Sequence, residues 1–243
     1  MDHRFPAVLA TALGLLWTAA CSHAAPDGGV PARTAAAAAV PVPRGLNKCA
    51  ADGPSASGMD HMVSALGARP LGCFQSGETT ELHGSKKTYA VPVEYGFAVE
   101  IKGGPYTTTD VNALMADVTD GWKNARPLSE ETRADYERRL DGLIEKGAPV
   151  GTLKPADSLN PSVLVSVEQL DPESFAVVAI RQRQVPLNGE FFSITKVDAA
   201  AVVLSRGKMM RLSIARELRS GSDVTAAREE IADWAYAVAN SRE

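Results

Sequence analysis

The sequence predicts an α+β fold, a mainly antiparallel sheet sandwiched by helices, set behind a signal peptide and a flexible tether. Three observations predict it. In the C-terminal half, four successive segments show apolar residues at a period of two, the mark of strands. The connections between them are too short for parallel crossovers, so the strands should form an antiparallel meander. The middle strands are also apolar on both faces. Val177 and Ala179 oppose Val178 and Ile180, and Ala201 and Val203 oppose Val202 and Leu204. A sheet with one face in water has no use for that pattern, so helices are expected on both sides.

The front of the chain is read first as a targeting segment. After a single Arg4, Ala7–Trp17 is an uncharged apolar run of 11 residues. A bilayer span takes roughly 20, whereas a run of this size suits the core of a signal peptide. Two cleavage sites compete. "WTAAC" places small residues before Cys21, as bacterial lipoprotein signals do, and "SHA" before Ala25 fits ordinary signal peptidase. The cysteines favour the first. The chain has 3, Cys21, Cys49 and Cys73, and an odd count in an exported protein leaves one thiol over. Lipidation of Cys21 removes that surplus and leaves Cys49 and Cys73 as a disulfide pinning the start of the domain. The expected location is therefore the bacterial cell envelope, with the chain lipid-anchored through Cys21. By likeness to bacterial lipoproteins, Ser22 points to the outer membrane, facing the periplasm. Cleavage before Ala25 would instead give a secreted or soluble periplasmic protein.

Residues 21–45 are rich in Ala, Pro and Gly without apolar periodicity and are expected to be a tether. A flexible chain of about 25 residues reaches roughly 25–30 Å. Residues 46–243 are expected to be one globular domain. Within it, "SGMDHMVSALGARP" predicts a short helix with Met59, Met62, Val63 and Leu66 on one face. "TYAVPVEYGFAVEIKGG" alternates as a strand, with Pro92 and Gly96 suiting a bend or bulge. Two helices should follow. One runs near Asp110–Trp122, with Val111, Leu114, Met115, Val118 and Trp122 in a stripe; the other starts after Ser129 and stops at Gly147. The four strands are then "SVLVSVEQL", "FAVVAIRQRQV", "FFSITKVDAAAVVL" and "KMMRLSIAREL", with turns at "LNGE" and "SRGK". A final amphipathic helix, capped by Ser222, presents Val224, Ala227, Ile231, Trp234 and Val238.

Candidate chemical motifs are sparse. "SITK" (Ser193–Lys196) has the S-x-x-K spacing of penicillin-recognising serine enzymes, but it lies in a strand and lacks the companion motifs. Cys49, His61, Cys73 and His83 are suitable zinc ligand types, but their spacings lack the close pairs of compact zinc sites, and exported cysteines are normally oxidised. No metal or cofactor is expected. His61 and His83 are the histidines left to the domain, and an envelope hydrolase would need one of them as base. The neighbouring carboxylates Glu130/Glu131 and Glu229/Glu230 read as solvated helix residues that do not converge. The basic residues Arg206, Lys208, Arg211, Arg216 and Arg219 read as a solvated hairpin edge. The net charge is −4, and removing 1–20 takes Asp2 and Arg4 together, so nothing in it favours nucleic acid.

"YGFAVEIKGGPY" (Tyr95–Tyr106) resembles the strand near the start of PsbP-like domains. "RGKMMRLSIAREL", followed by "AREEIADWAYAVAN", resembles their closing strand pair and helix. The likeness is to bacterial exported proteins and lipoproteins carrying such a domain. It implies an accessory or binding module without a shared catalytic site, so no functional residue transfers. The expected role is partner docking or enzyme inhibition by a non-enzymatic envelope lipoprotein. The alternatives are the hydrolase and a structural tether between envelope layers.

Overall fold

The computed structural model describes residues 40–50, 68–85, 87–124, 162–187 and 190–241. Seven strands form one antiparallel sheet: β1 (Asn47–Lys48), β2 (Arg69–Gln75), β5 (Glu94–Glu100), β6 (Ser162–Asp171), β7 (Ser174–Leu187), β8 (Glu190–Ser205) and β9 (Lys208–Glu217). Their spatial order is β1-β2-β5-β9-β8-β7-β6. A separate hairpin pairs β3 (Thr79–His83) with β4 (Thr88–Pro92). Two helices, α1 (Thr108–Asn124) and α2 (Gly221–Ala239), complete the described fold. None of the described helices is long and apolar enough to cross a membrane.

The two apolar faces of the middle strands each receive a helix, as the α+β reading requires. Val178, Ile180, Val197, Ala199, Ala201, Val203, Leu212 and Ile214 pack with Val224, Ala227, Ile231, Trp234 and Val238 of α2. The alternate residues Phe175, Val177, Val202, Leu204 and Met209 pack with Val111, Leu114 and Val118 of α1. Met115 packs against the same cluster, while the side chain of Trp122 lies outside the described residues. The β8–β9 turn is the expected "SRGK". Arg206 and Gly207 both have positive φ, 52° and 74°, as a two-residue turn of primed type demands. The "LNGE" turn closes on the pair Leu187 and Glu190.

Elsewhere the sequence reading needs correction. The single alternating run expected over Thr88–Ile101 divides between two sheets. Pro92 ends β4, and Val93 turns to give its N–H to the Glu78 carbonyl while its own carbonyl accepts from Glu217. The cap of α2 is Ser220, not Ser222. Asp223 sets it, accepting from the backbone N–H of Ser220 at 2.7 Å and of Arg219 at 2.9 Å. Replacing Asp223 by Ala leaves both donors unmet and should cost about 1–2 kcal/mol in urea unfolding. The helices expected over Ser57–Leu66 and after Ser129 lie outside the described residues.

The described residues from Val40 are packed, although they belong to the segment read as a tether. Val40, Pro43 and Leu46 are buried, and the indole N–H of Trp234 donates to the Pro41 carbonyl at 2.8 Å. A turn closed by Leu46 N–H on Pro43, with Gly45 at φ 79°, then delivers the chain into β1. Val40–Leu46 is thus a strap across the α2 layer.

Candidate functional site

Four buried charged residues of the sheet, Glu94, Arg181, Lys196 and Asp198, lie toward one end, while Arg211 lies opposite Val202 nearer the other. On the α1 side, α1 covers the end holding Phe175 and Leu204, whereas the same face of the strands farther along presents Arg181, Lys196 and Asp198, all buried. Register explains the grouping. Arg181 lies opposite Lys196, and Asp198 opposite Ala179 and Ala215, so these side chains share one face. Arg181 Nε stands 3.7 Å from Asp198 Oδ2. The Lys196 ammonium lies 4.7 Å from the centroid of the Tyr95 ring, a cation–π contact strengthened by exclusion of water.

At the same end, the α2 face holds a second cluster. Glu94 of β5 and Arg216 of β9 are direct cross-strand partners. Nη2 of Arg216 donates to Glu94 Oε2 at 2.7 Å and to Glu230 Oε2 of α2 at 2.7 Å. The rim is closed by Arg219, which donates to Glu78 at 2.7 Å and to Thr80 at 2.9 Å. Thr80 in turn bonds Glu217. This polar clamp ties the β3–β4 hairpin to the end of β9. Tyr89 of that hairpin meets Phe192 of β8 edge-on, with centroids 5.6 Å apart.

The strands also end unevenly here. β6 pairs with β7 only as far as Ser162–Arg181, and β9 pairs with β8 as far as Lys196–Glu217, yet β7 and β8 continue together to Leu187–Glu190. Beyond Arg181, among the described residues, these two strands pair with each other, while Leu218 N–H reaches the Thr195 carbonyl, Ile194 is buried and Tyr89 packs on Phe192. The extension thus lies beside a charged, internally braced sheet end.

No family model matches the chain, and neither does any curated protein or solved structure. Assignment of the site rests on its own geometry.

The residues singled out from the sequence fall as follows. Cys49 and Cys73 are joined, with Cα atoms 5.4 Å apart, so neither thiol is available to zinc. Cys21 and His61 lie outside the described residues. His83 ends β3 and is exposed; Nδ1 is 3.1 Å from the Thr88 hydroxyl and Nε2 is 4.0 Å from Glu81. Among the described residues no group of three or more His, Cys, Asp or Glu could hold a metal. Ser193 and Lys196 both belong to β8, whose extended backbone denies them the one-turn helical relation of S-x-x-K enzymes.

Two readings need correction. Of the basic residues read as a solvated hairpin edge, Arg206, Lys208 and Arg219 are exposed, but β9 lies between β5 and β8, with Arg211 buried and Arg216 enclosed by carboxylates. Glu230 is not a solvated helix residue, since its side chain is only 10% exposed. Helical spacing held a clue to it. Glu230 is three residues after Ala227 and four before Trp234, which places it on the flank of the buried stripe.

Proposed function

We propose that this chain is a cell-envelope lipoprotein, anchored through Cys21 and facing the periplasm, whose domain binds an envelope protein instead of performing catalysis. The observation that carries the reading is the Cys49–Cys73 disulfide. It belongs to an oxidising compartment. It also consumes two of the 3 cysteines, so Cys21 behind its apolar leader is the odd thiol that acylation would use. The β7–β8 extension beyond Arg181 supports the binding role, because among the described residues the outer edge of β7 there carries no strand partner, and such an edge can take a partner's chain. The PsbP-like resemblance of the segments from Tyr95 onward agrees with an accessory module.

Intact mass of the membrane-extracted protein tests the anchor. The expected mature chain starts at an acylated Cys21; a chain starting at Ala25 and found free in the periplasm refutes it. Cross-linking in intact cells tests the docking site. A photo-reactive residue at Leu187 or Glu190 should give a discrete adduct with another envelope protein, whereas one at Asp117 on the exposed side of α1 should not. Equal adducts at all three positions would remove the extension from consideration.

A further inference from the structure

The Glu94–Arg216–Glu230 cluster joins three elements, β5, β9 and α2, with side chains exposed by only 9%, 21% and 10% respectively. Both carboxylates approach the same nitrogen, Arg216 Nη2, at 2.7 Å. One guanidinium balances one carboxylate. Two ionised carboxylates would therefore leave a net negative charge shielded from water at the helix–sheet junction, which is unfavourable in a medium of low polarity. The remaining oxygen of each, Glu94 Oε1 and Glu230 Oε1, is buried without a hydrogen-bond partner among the described residues. Protonating one carboxyl removes the excess charge.

We propose that Glu230 keeps a proton against the neighbouring Glu94 carboxylate, and that this proton is a latch: while it is held α2 stays docked on the sheet, and when it leaves α2 opens ahead of the central strands. The charged groups facing the latch are Glu94 from β5, Arg216 from β9, Asp223 from α2 itself and Arg44 from the strap. Burial, and then the Glu94 carboxylate, push the Glu230 pKa up to about 8, with Arg216 and Arg44 pulling the other way. The direction of the pH effect follows from this. The native state keeps a proton that the opened or unfolded chain releases near the ordinary value of 4.5. The stabilisation is thus fully present below that value and is lost as the pH rises through about 8. Opening has a consequence at the N-terminal side, because Trp234 of α2 holds Pro41. Undocking the helix releases the strap.

Hydrogen exchange on the full chain at pH 6 and pH 8.5, corrected for intrinsic rates, tests the latch. Protection of the α2 amides from Val224 to Val238 should fall by about tenfold or more relative to those of β8. Glu230→Gln, uncharged at both pH values, should lose that difference, and Glu94→Gln should reduce it. A carbon-13 carboxyl titration of wild type is independent of any variant: the Glu230 signal should move near pH 8. Titration in the ordinary carboxylate range, a fall shared equally by α2 and β8, or an undiminished fall in Glu230→Gln would each overturn the proposal.

Discussion

Trp234→Ala is expected to lower the unfolding free energy by about 3–5 kcal/mol, the range for truncating a large buried aromatic. Three losses combine. The indole is only 2% exposed within the α2 cluster, so its removal opens a cavity between helix and sheet. It meets Phe74 of β2 edge-on, with centroids 5.4 Å apart, and that contact links α2 to the N-terminal side of the sheet. Its N–H also satisfies the Pro41 carbonyl, so the strap is left without its polar attachment. Urea unfolding should show the midpoint moving by a large fraction of its range. Trp234→Phe separates the contributions: it retains most of the apolar contact but not the donor, and should lose only a minority of the stability. A Trp234→Ala protein melting within a degree or two of wild type would contradict the helix-on-sheet packing.

The second large effect is expected from the Cys49→Ser, Cys73→Ser double variant. The bridge closes a loop between residues 24 apart, and releasing it restores denatured-state entropy equivalent to about 3–4 kcal/mol. The structure also shows where the loss is felt. The bond, expected to pin the start of the domain, does so through the sheet itself, because Cys73 lies within β2, which pairs with β5 over Arg69–Gln75. Cys49 follows the two-residue β1 and donates its N–H to the Cys73 carbonyl at 2.9 Å. A two-residue edge strand has little of its own to hold it, so the bond secures β1 and the strap behind it to the sheet. Limited proteolysis of the double variant should cut first between Lys48 and Lys86, before any site in β7–β9. Thiol labelling of unfolded, unreduced wild type should find neither Cys49 nor Cys73 reactive.

The fold was legible where local periodicity and burial agree. The meander β6–β9 and the helix α2 announce themselves because each apolar residue falls at the period its element needs, and the double-sided strands foretell a helix on either face. The β2 strand and the β3–β4 hairpin were not legible. In "RPLGCFQ", Pro70 and Gly72 obscure the alternation, and β3 is a run of Thr, Glu, Leu and His whose partner is set by a turn through Gly84. The charged sheet end was hidden for a different reason. Lys196, Asp198 and Arg216 look like ordinary polar positions in alternating strands, and only the long-range register that places β9 between β5 and β8 encloses them. Glu230 became informative once Glu94 was seen opposite it across the helix–sheet junction.

That register also governs the order in which the molecule can assemble. Glu94 and its partner Arg216 are 122 residues apart, whereas β6 to β9 follow one another through tight turns. The meander has local contacts to nucleate on, but β5 reaches its place only by closing a loop of that length, so it should dock late and slowly. During synthesis β5 emerges long before β9 exists. For that interval its Tyr95, Phe97 and Val99 have no strand to cover them on the β9 side, and nascent chains are most prone to associate with one another through such an apolar segment. A holding chaperone that delays collapse until Glu217 has been made would serve this topology better than a catalyst of any single folding step.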